Sequence, residues 1–182
     1  MKQISLAIIL VLLLSACGTQ TTSSGLTQSD QEDFSISVPA NWVVFDKNSN
    51  AVPKPKVWEV ALAVTSAEVV DGFSNNLLIL KETLSSTTTS DQYSMLNNFW
   101  VEQDYKEYEK IEEKDMIFAD TTDIGKLYVF KAKYNVNTPK LTFLQTARIC
   151  KGNLGFFLTI ALPANITDTA KYEEILKTFA CK

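Results

Sequence analysis

The segment that decides the fold is Leu141-Thr-Phe-Leu-Gln-Thr-Ala-Arg-Ile-Cys150, which Lys151-Gly-Asn153 joins to Gly155-Phe-Phe-Leu-Thr-Ile-Ala161. Both apolar runs have the length of a strand, and the connection between them is short enough for a β-hairpin. A third run of this kind, residues 126–134, comes before them across the short connection Asn137-Thr-Pro139. Three strands joined this tightly predict an antiparallel meander.

Further strands are predicted on the N-terminal side of the meander. Phe34, Ile36 and Val38 alternate with two serines, which is the period of a half-buried strand, and Pro39-Ala-Asn41 then turns the chain. The other apolar, β-rich stretches are residues 42–45, 57–64, 76–84 and 116–119.

Two stretches predict helices. Thr89 and Gln92 fit a capping box at the start of the first, and an apolar stripe then predicts its buried face. That stripe consists of Tyr93, Leu96 and Trp100, with Phe99 beside it. The second helix begins at about Asp168, and its stripe consists of Tyr172, Ile175, Leu176 and Phe179. We therefore expect an α+β fold in which helices flank one antiparallel sheet as an α/β/α sandwich.

The charged stretch Glu102–Asp115 mixes seven acidic residues with three lysines. Converging carboxylates could hold a hard cation, but the stretch lacks the spaced Asp and Asn residues and the central Gly of a calcium loop. Interleaved lysines are typical of a solvated face, so we predict no metal site.

The N-terminus resembles a bacterial lipoprotein signal. Lys2 gives it a positive start, residues 4–14 are apolar apart from Ser5, and Ser15-Ala16 are the small residues before a cleavage site. Residues 1–16 are then the signal peptide, and Cys17 carries the lipid. The alternatives are an ordinary secretory signal or a membrane span, but this hydrophobic stretch of eleven residues is too short to cross a bilayer, which takes about 20. The expected location is the extracytoplasmic face of the cell membrane or the outer membrane.

The residues after Cys17 are mostly Thr, Ser, Gln and Gly, with Leu26 as the apolar exception. Such a composition cannot form a core, so residues 17–33 are predicted to be a flexible tether. Residues 34–182 are predicted to be a single globular domain, since 46% of the chain is hydrophobic.

Charge and composition exclude several function classes. The net charge is −4 and Arg148 is the sole arginine, which argues against nucleic acid as a partner. The chain has no histidine, which removes Ser-His-Asp and Cys-His catalysis, and it has no phosphate-binding glycine loop. We therefore predict a protein that is not an enzyme and that needs no cofactor.

With Cys17 lipidated, two thiols remain, Cys150 and Cys181. In an exported protein we expect them to form a disulfide that ties the C-terminal helix to the sheet. Closing a loop of this length adds roughly 3.5 kcal/mol to stability on the chain-entropy estimate. The alternative is a pair of free thiols.

The order of the predicted elements, together with five short sequence strings, resembles the PsbP family. The strings are FSISVPANW at 34–42, KLYVFKAKY at 126–134, LTFLQTARIC at 141–150, GFFLTIA at 155–161 and YEEILKTF at 172–179. Members of that family are mostly binding and assembly factors built on one antiparallel sheet. The resemblance therefore implies a non-catalytic role and carries over no catalytic residue.

Two hypotheses about function follow. The first is a module that docks on an envelope or extracellular protein through exposed aromatic residues, with Trp58, Tyr105 and Tyr108 as candidates. The second is a carrier of a small ligand, with an apolar pocket lined by Trp42 and Trp100. Each of these aromatic residues could instead be ordinary packing.

Overall fold

The computed structural model describes residues 25–46, 58–70 and 72–182. The predicted signal peptide and the lipidation site at Cys17 lie outside the described residues. In chain order the elements are β1 (Leu26–Asp30), β2 (Phe34–Pro39), β3 (Trp42–Val44), β4 (Glu59–Ser66), β5 (Asn76–Thr83), α1 (Ser90–Asp104), β6 (Lys106–Ile117), β7 (Ile124–Lys133), β8 (Leu141–Cys150), β9 (Leu154–Pro163), α2 (Ala170–Lys177) and β10 (Ala180–Cys181). A short 3-10 turn, Lys151–Asn153, joins β8 to β9.

Seven of these strands form one antiparallel sheet in the order β3-β4-β5-β9-β8-β7-β6. The predicted meander is confirmed, because β7, β8 and β9 are neighbours and Phe143 pairs with both Phe130 and Ala161. The coarse fold class, α+β with an antiparallel sheet, is confirmed as well.

The charged stretch before Met116 is part of a strand. Only residues 116–119 were expected to be extended there, but β6 begins at Lys106 and pairs with β7 along the edge of the sheet. Its carboxylates form ion pairs with lysines of β7 and of the loop after it, for example Asp115 with Lys126 and Glu109 with Lys140. Charged side chains are common on edge strands, where they discourage pairing with other chains.

A small sheet of order β1-β2-β10 also forms. The prediction that residues 17–33 form a flexible tether is therefore wrong at its C-terminal end, since residues 26–30 pair with β2 as strand β1. The reason is that a ladder of backbone hydrogen bonds requires no apolar side chains, so a polar composition did not reveal the strand. The folded domain begins before Phe34.

The core has two parts, on opposite faces of the large sheet. In β9, Leu158 and Ile160 belong to one cluster of buried side chains, whereas Phe157 and Ala161 belong to the other. Successive strand residues point to opposite faces, so the sheet separates the clusters. The first cluster includes side chains of the small sheet and of α2, and the second includes side chains of α1.

The predicted disulfide is present. Cys150 at the end of β8 is bonded to Cys181 in β10, with the two Cα atoms 5.7 Å apart. Because β10 pairs with β2, this bond connects the end of the large sheet to the small sheet.

Candidate functional site

Helix α1 begins at the capping box predicted from the sequence. The side chain of Thr89 accepts a hydrogen bond from the backbone of Gln92, and the Gln92 side chain accepts one from the backbone of Thr89. The two bonds satisfy donors that a helix N-terminus leaves without partners, so they define the start of α1.

The face of α1 that packs on the sheet is mainly polar. Ser90, Ser94, Asn97 and Asn98 are buried there, together with Tyr93 and Val101. Pairing between β7 and β8 runs only from Gln145 to Leu141 on the β8 side, so the later residues of β8 have no ladder partner in β7. Helix α1 supplies hydrogen-bond acceptors for them instead. The backbone N–H of Ala147 donates to Ser94 Oγ at 3.0 Å, and that of Ile149 donates to Ser90 Oγ at 2.9 Å.

The opposite face of α1 carries large apolar side chains. Met95, Leu96, Phe99 and Trp100 are each between 50% and 55% exposed, and we call these four residues the α1 patch. The rings of Phe99 and Trp100 meet edge to face, with centroids 5.2 Å apart. The prediction that Leu96, Phe99 and Trp100 form the buried face is therefore wrong. The N–H groups of β8 that have no partner in β7 need hydroxyl groups as acceptors, so the serine side of α1 faces β8. The apolar stripe of the helix therefore faces outward.

A groove of about 380 Å³ lies beside the patch. Its lining residues are Trp58, Glu82, Tyr93, Leu96, Asn97, Trp100 and Asp104. The Tyr93 hydroxyl donates to Glu82 Oε1 at 2.7 Å. Burial raises the pKa of Tyr93 and the Glu82 carboxylate raises it further, so the hydroxyl stays protonated as the donor.

Glycine at position 155 is what allows the Tyr93 ring to lie at the floor of the groove. A Cβ atom added to Gly155 of β9 would lie 2.8 Å from Cζ of Tyr93, well inside contact distance. The groove therefore depends on a close approach between the helix side chain and the strand backbone.

Two of the three predicted docking residues are half-buried and pack against the cluster of buried side chains on the α1 face of the sheet. The Tyr105 ring contacts the rings of Phe130, Tyr134 and Phe143, and burial raises the pKa of its hydroxyl. Tyr108 stacks on Phe130 at 4.8 Å and donates a hydrogen bond to Asn98 Oδ1. Both side chains are partly buried and neither lines the groove beside α1, so the structure does not bring them together with Trp58 there. Trp58 is half-buried against Phe157 but does line the groove.

The two tryptophans predicted to share a pocket lie on opposite faces of the sheet. Trp42 lines a separate cavity of about 440 Å³ with Leu26, Tyr172 and Ile175 among its neighbours, whereas Trp100 lines the groove at α1. The prediction of one pocket between them is wrong, because the sheet lies between the two.

Within residues 25–46, 58–70 and 72–182, no group of three or more His, Cys, Asp or Glu side chains is arranged to hold a metal ion. In the same part of the chain, no helix has the length and apolar character needed to span a membrane.

Comparisons with known proteins bear on the fold. No family model and no curated protein matches the chain. Among solved structures, PA94, a protein of unknown function from Pseudomonas aeruginosa, is similar with a TM-score of 0.50 and 10% identity, over 84% of this chain and 91% of that one. A protein from Bacteroides thetaiotaomicron VPI-5482 has a TM-score of 0.47 and 12% identity, over 82% of this chain. The chain spans 45% of the length of that protein. At 10% identity, the likeness to PA94 concerns the fold alone.

Proposed function

We propose that the chain is a lipid-anchored lipoprotein of the cell envelope. Its domain, an α/β/α sandwich of the PsbP type, serves as a non-catalytic protein-interaction module that binds its partner through the α1 patch. The observation that carries this proposal is the outward-facing set of four large apolar side chains on α1.

Exposing these four side chains to water costs free energy, and a partner that covers them would remove that cost. Burying one large apolar side chain fully is worth about 1.5–3 kcal/mol, and these four are only half covered. Contiguous apolar patches on a folded surface commonly mark interaction sites, and tryptophan is enriched among the residues that dominate binding energy. Trp100 is therefore the expected anchor of the contact.

A protein partner fits the patch better than a membrane does. Helices that lie on membranes are rich in Lys and Arg on their polar face, but α1 has neither and carries Asp91, Glu102 and Asp104. The described chain also starts on the other side of the large sheet, because β1 belongs to the small sheet that packs with α2. An anchor at Cys17 would thus enter the domain on the face opposite α1.

A small-ligand carrier is the second candidate function, and the cavity at Trp42 favours it. At about 440 Å³ it lies within the usual size of a ligand pocket, and Leu26, Trp42 and Ile175 give it apolar walls. A carrier would retain a small molecule through purification, which native mass spectrometry detects, and Trp42→Ala would release that molecule while Trp100→Ser would not.

Photo-crosslinking in the cell that produces the protein tests the docking proposal. A benzophenone amino acid replaces Phe99 in the full chain, and the matched control places it at exposed Glu32, in the turn of the small sheet. We expect position 99 to form a cross-link to one identifiable protein, and position 32 to form none to that protein. The further variant Trp100→Ser should abolish the cross-link.

Three results would overturn the proposal. They are a cross-link from position 99 to lipid only, a cross-link to a second copy of this chain, and the absence of any cross-link.

A further inference from the structure

We infer that the partner contacts α1 through a basic, amphipathic segment: its apolar side chains cover the α1 patch and a lysine or arginine enters the groove between Trp58 and Trp100. This inference rests on the proposed function, because it names the chemistry of the partner that binds there.

The charges around the groove are the first argument for a basic partner side chain. Glu82 and Asp104 both line it, and neither forms an ion pair with another residue in the described part of the chain. The lining includes no Lys or Arg, and α1 itself has none. A cation entering the groove would therefore meet two carboxylates that the fold has not already neutralised.

The aromatic and apolar walls of the groove are the second argument for a Lys or Arg side chain. Trp58, Tyr93 and Trp100 are aromatic, and a cation over an aromatic ring is attracted to the face of the ring. The aliphatic part of a Lys or Arg side chain can lie along Leu96 while its charged end reaches the carboxylates. The combination of apolar walls and acidic ends thus fits a long basic side chain better than a purely apolar one.

A second copy of this chain does not fit the same surface. A two-fold contact through α1 would bring the same patch of each copy together, and with it Glu102 and Asp104 of both. Like charges facing each other across an interface oppose binding. The net charge of −4 adds to that repulsion. The complement of this surface is a different chain with positive charge.

Charge variants of the full chain test the inference in the cross-linking experiment from position 99. Asp104 is exposed at the last position of α1, where a lysine suits the helix dipole, so Asp104→Lys should leave the fold intact. We expect it to lower the cross-link yield about tenfold or more, and Asp104→Asn to lower it less. Glu32→Lys, the same charge change on the small sheet, should leave the yield unchanged. The cross-linked partner peptide should contain Lys or Arg within one helical turn of its attachment point.

The outcomes separate the two proposals. If Trp100→Ser abolishes the cross-link but Asp104→Lys leaves its yield unchanged, docking through α1 stands and the basic partner segment is wrong. A cross-linked partner peptide that is acidic, or that lacks Lys and Arg, overturns the inference in the same way. If the unaltered chain gives no cross-link from position 99, the proposed function itself fails, and the inference fails with it.

Discussion

The hydroxyl oxygen of Ser94 lies 3.0 Å from the backbone nitrogen of Ala147 and accepts its hydrogen bond. This contact joins the second turn of α1 to the stretch of β8 that β7 no longer pairs with. It explains why the helix turns serine inward, and therefore why tryptophan and phenylalanine face outward.

Removal of this hydroxyl should destabilise the protein. Ser94→Ala leaves the buried N–H of Ala147 without an acceptor, which costs about 1–3 kcal/mol in the free energy of unfolding. Urea unfolding of the full chain in mild detergent measures this loss in the free energy of unfolding. The control is Gln103→Ala, an exposed position on the same helix. If both variants lose the same small amount, the contact does not hold the helix in place.

The exposure of Trp100 can be tested by stability alone. Trp100→Ser should change the free energy of unfolding by less than about 1 kcal/mol, since half-exposed side chains contribute little. Phe157→Ala, on the same face of the sheet but fully packed, should cost about 3–5 kcal/mol. An equal loss for the two variants would mean that the apolar stripe of α1 packs inward after all.

Reduction of the disulfide should lower stability measurably. Opening the Cys150–Cys181 loop removes about 3.5 kcal/mol on the chain-entropy estimate, so the urea midpoint should fall when reductant is added. The double variant Cys150→Ser/Cys181→Ser should start at the lower midpoint and show no response to reductant. If reductant leaves the urea midpoint of the native chain unchanged, the disulfide does not stabilise the native protein.

The proposed lipid anchor predicts a change in location. Cys17→Ser should move the protein out of the membrane fraction, because the acyl chains supply the membrane contact at about 0.8 kcal/mol per buried methylene. Fractionation with immunoblotting measures this, and Cys181→Ser, which removes a different cysteine, should remain with the membrane. Retention of the Cys17→Ser chain in the membrane fraction would refute lipid anchoring at that residue.

Much of the fold could be predicted from local pattern, because β8 and β9 of the meander are nearly continuous apolar runs and the connections between the meander strands are short. The disulfide was also predictable, since few cysteines were left to pair. Strand β1 was not predictable, because its polar residues contribute backbone hydrogen bonds rather than apolar surface.

The site was harder to predict for a specific reason. The apolar stripe at residues 96, 99 and 100 was recognised correctly, but its direction depends on where β7 separates from β8, and no local pattern encodes that. The signal that could have found it lies on the other side of the helix. Ser90, Ser94, Asn97 and Asn98 repeat at helical spacing as small polar residues suited to close packing against a strand.

The two methionines of the folded domain allow the most direct test of the central claim, that a partner covers the α1 patch. Met95 belongs to the patch, whereas Met116 is buried in β6 and serves as an internal control. Hydroxyl-radical footprinting would compare the full chain in its own membranes with the purified chain in detergent. We expect Met95 to be oxidised readily in the purified protein and protected in the membranes, with Met116 protected in both. Equal oxidation of Met95 in the two states would contradict a partner on α1.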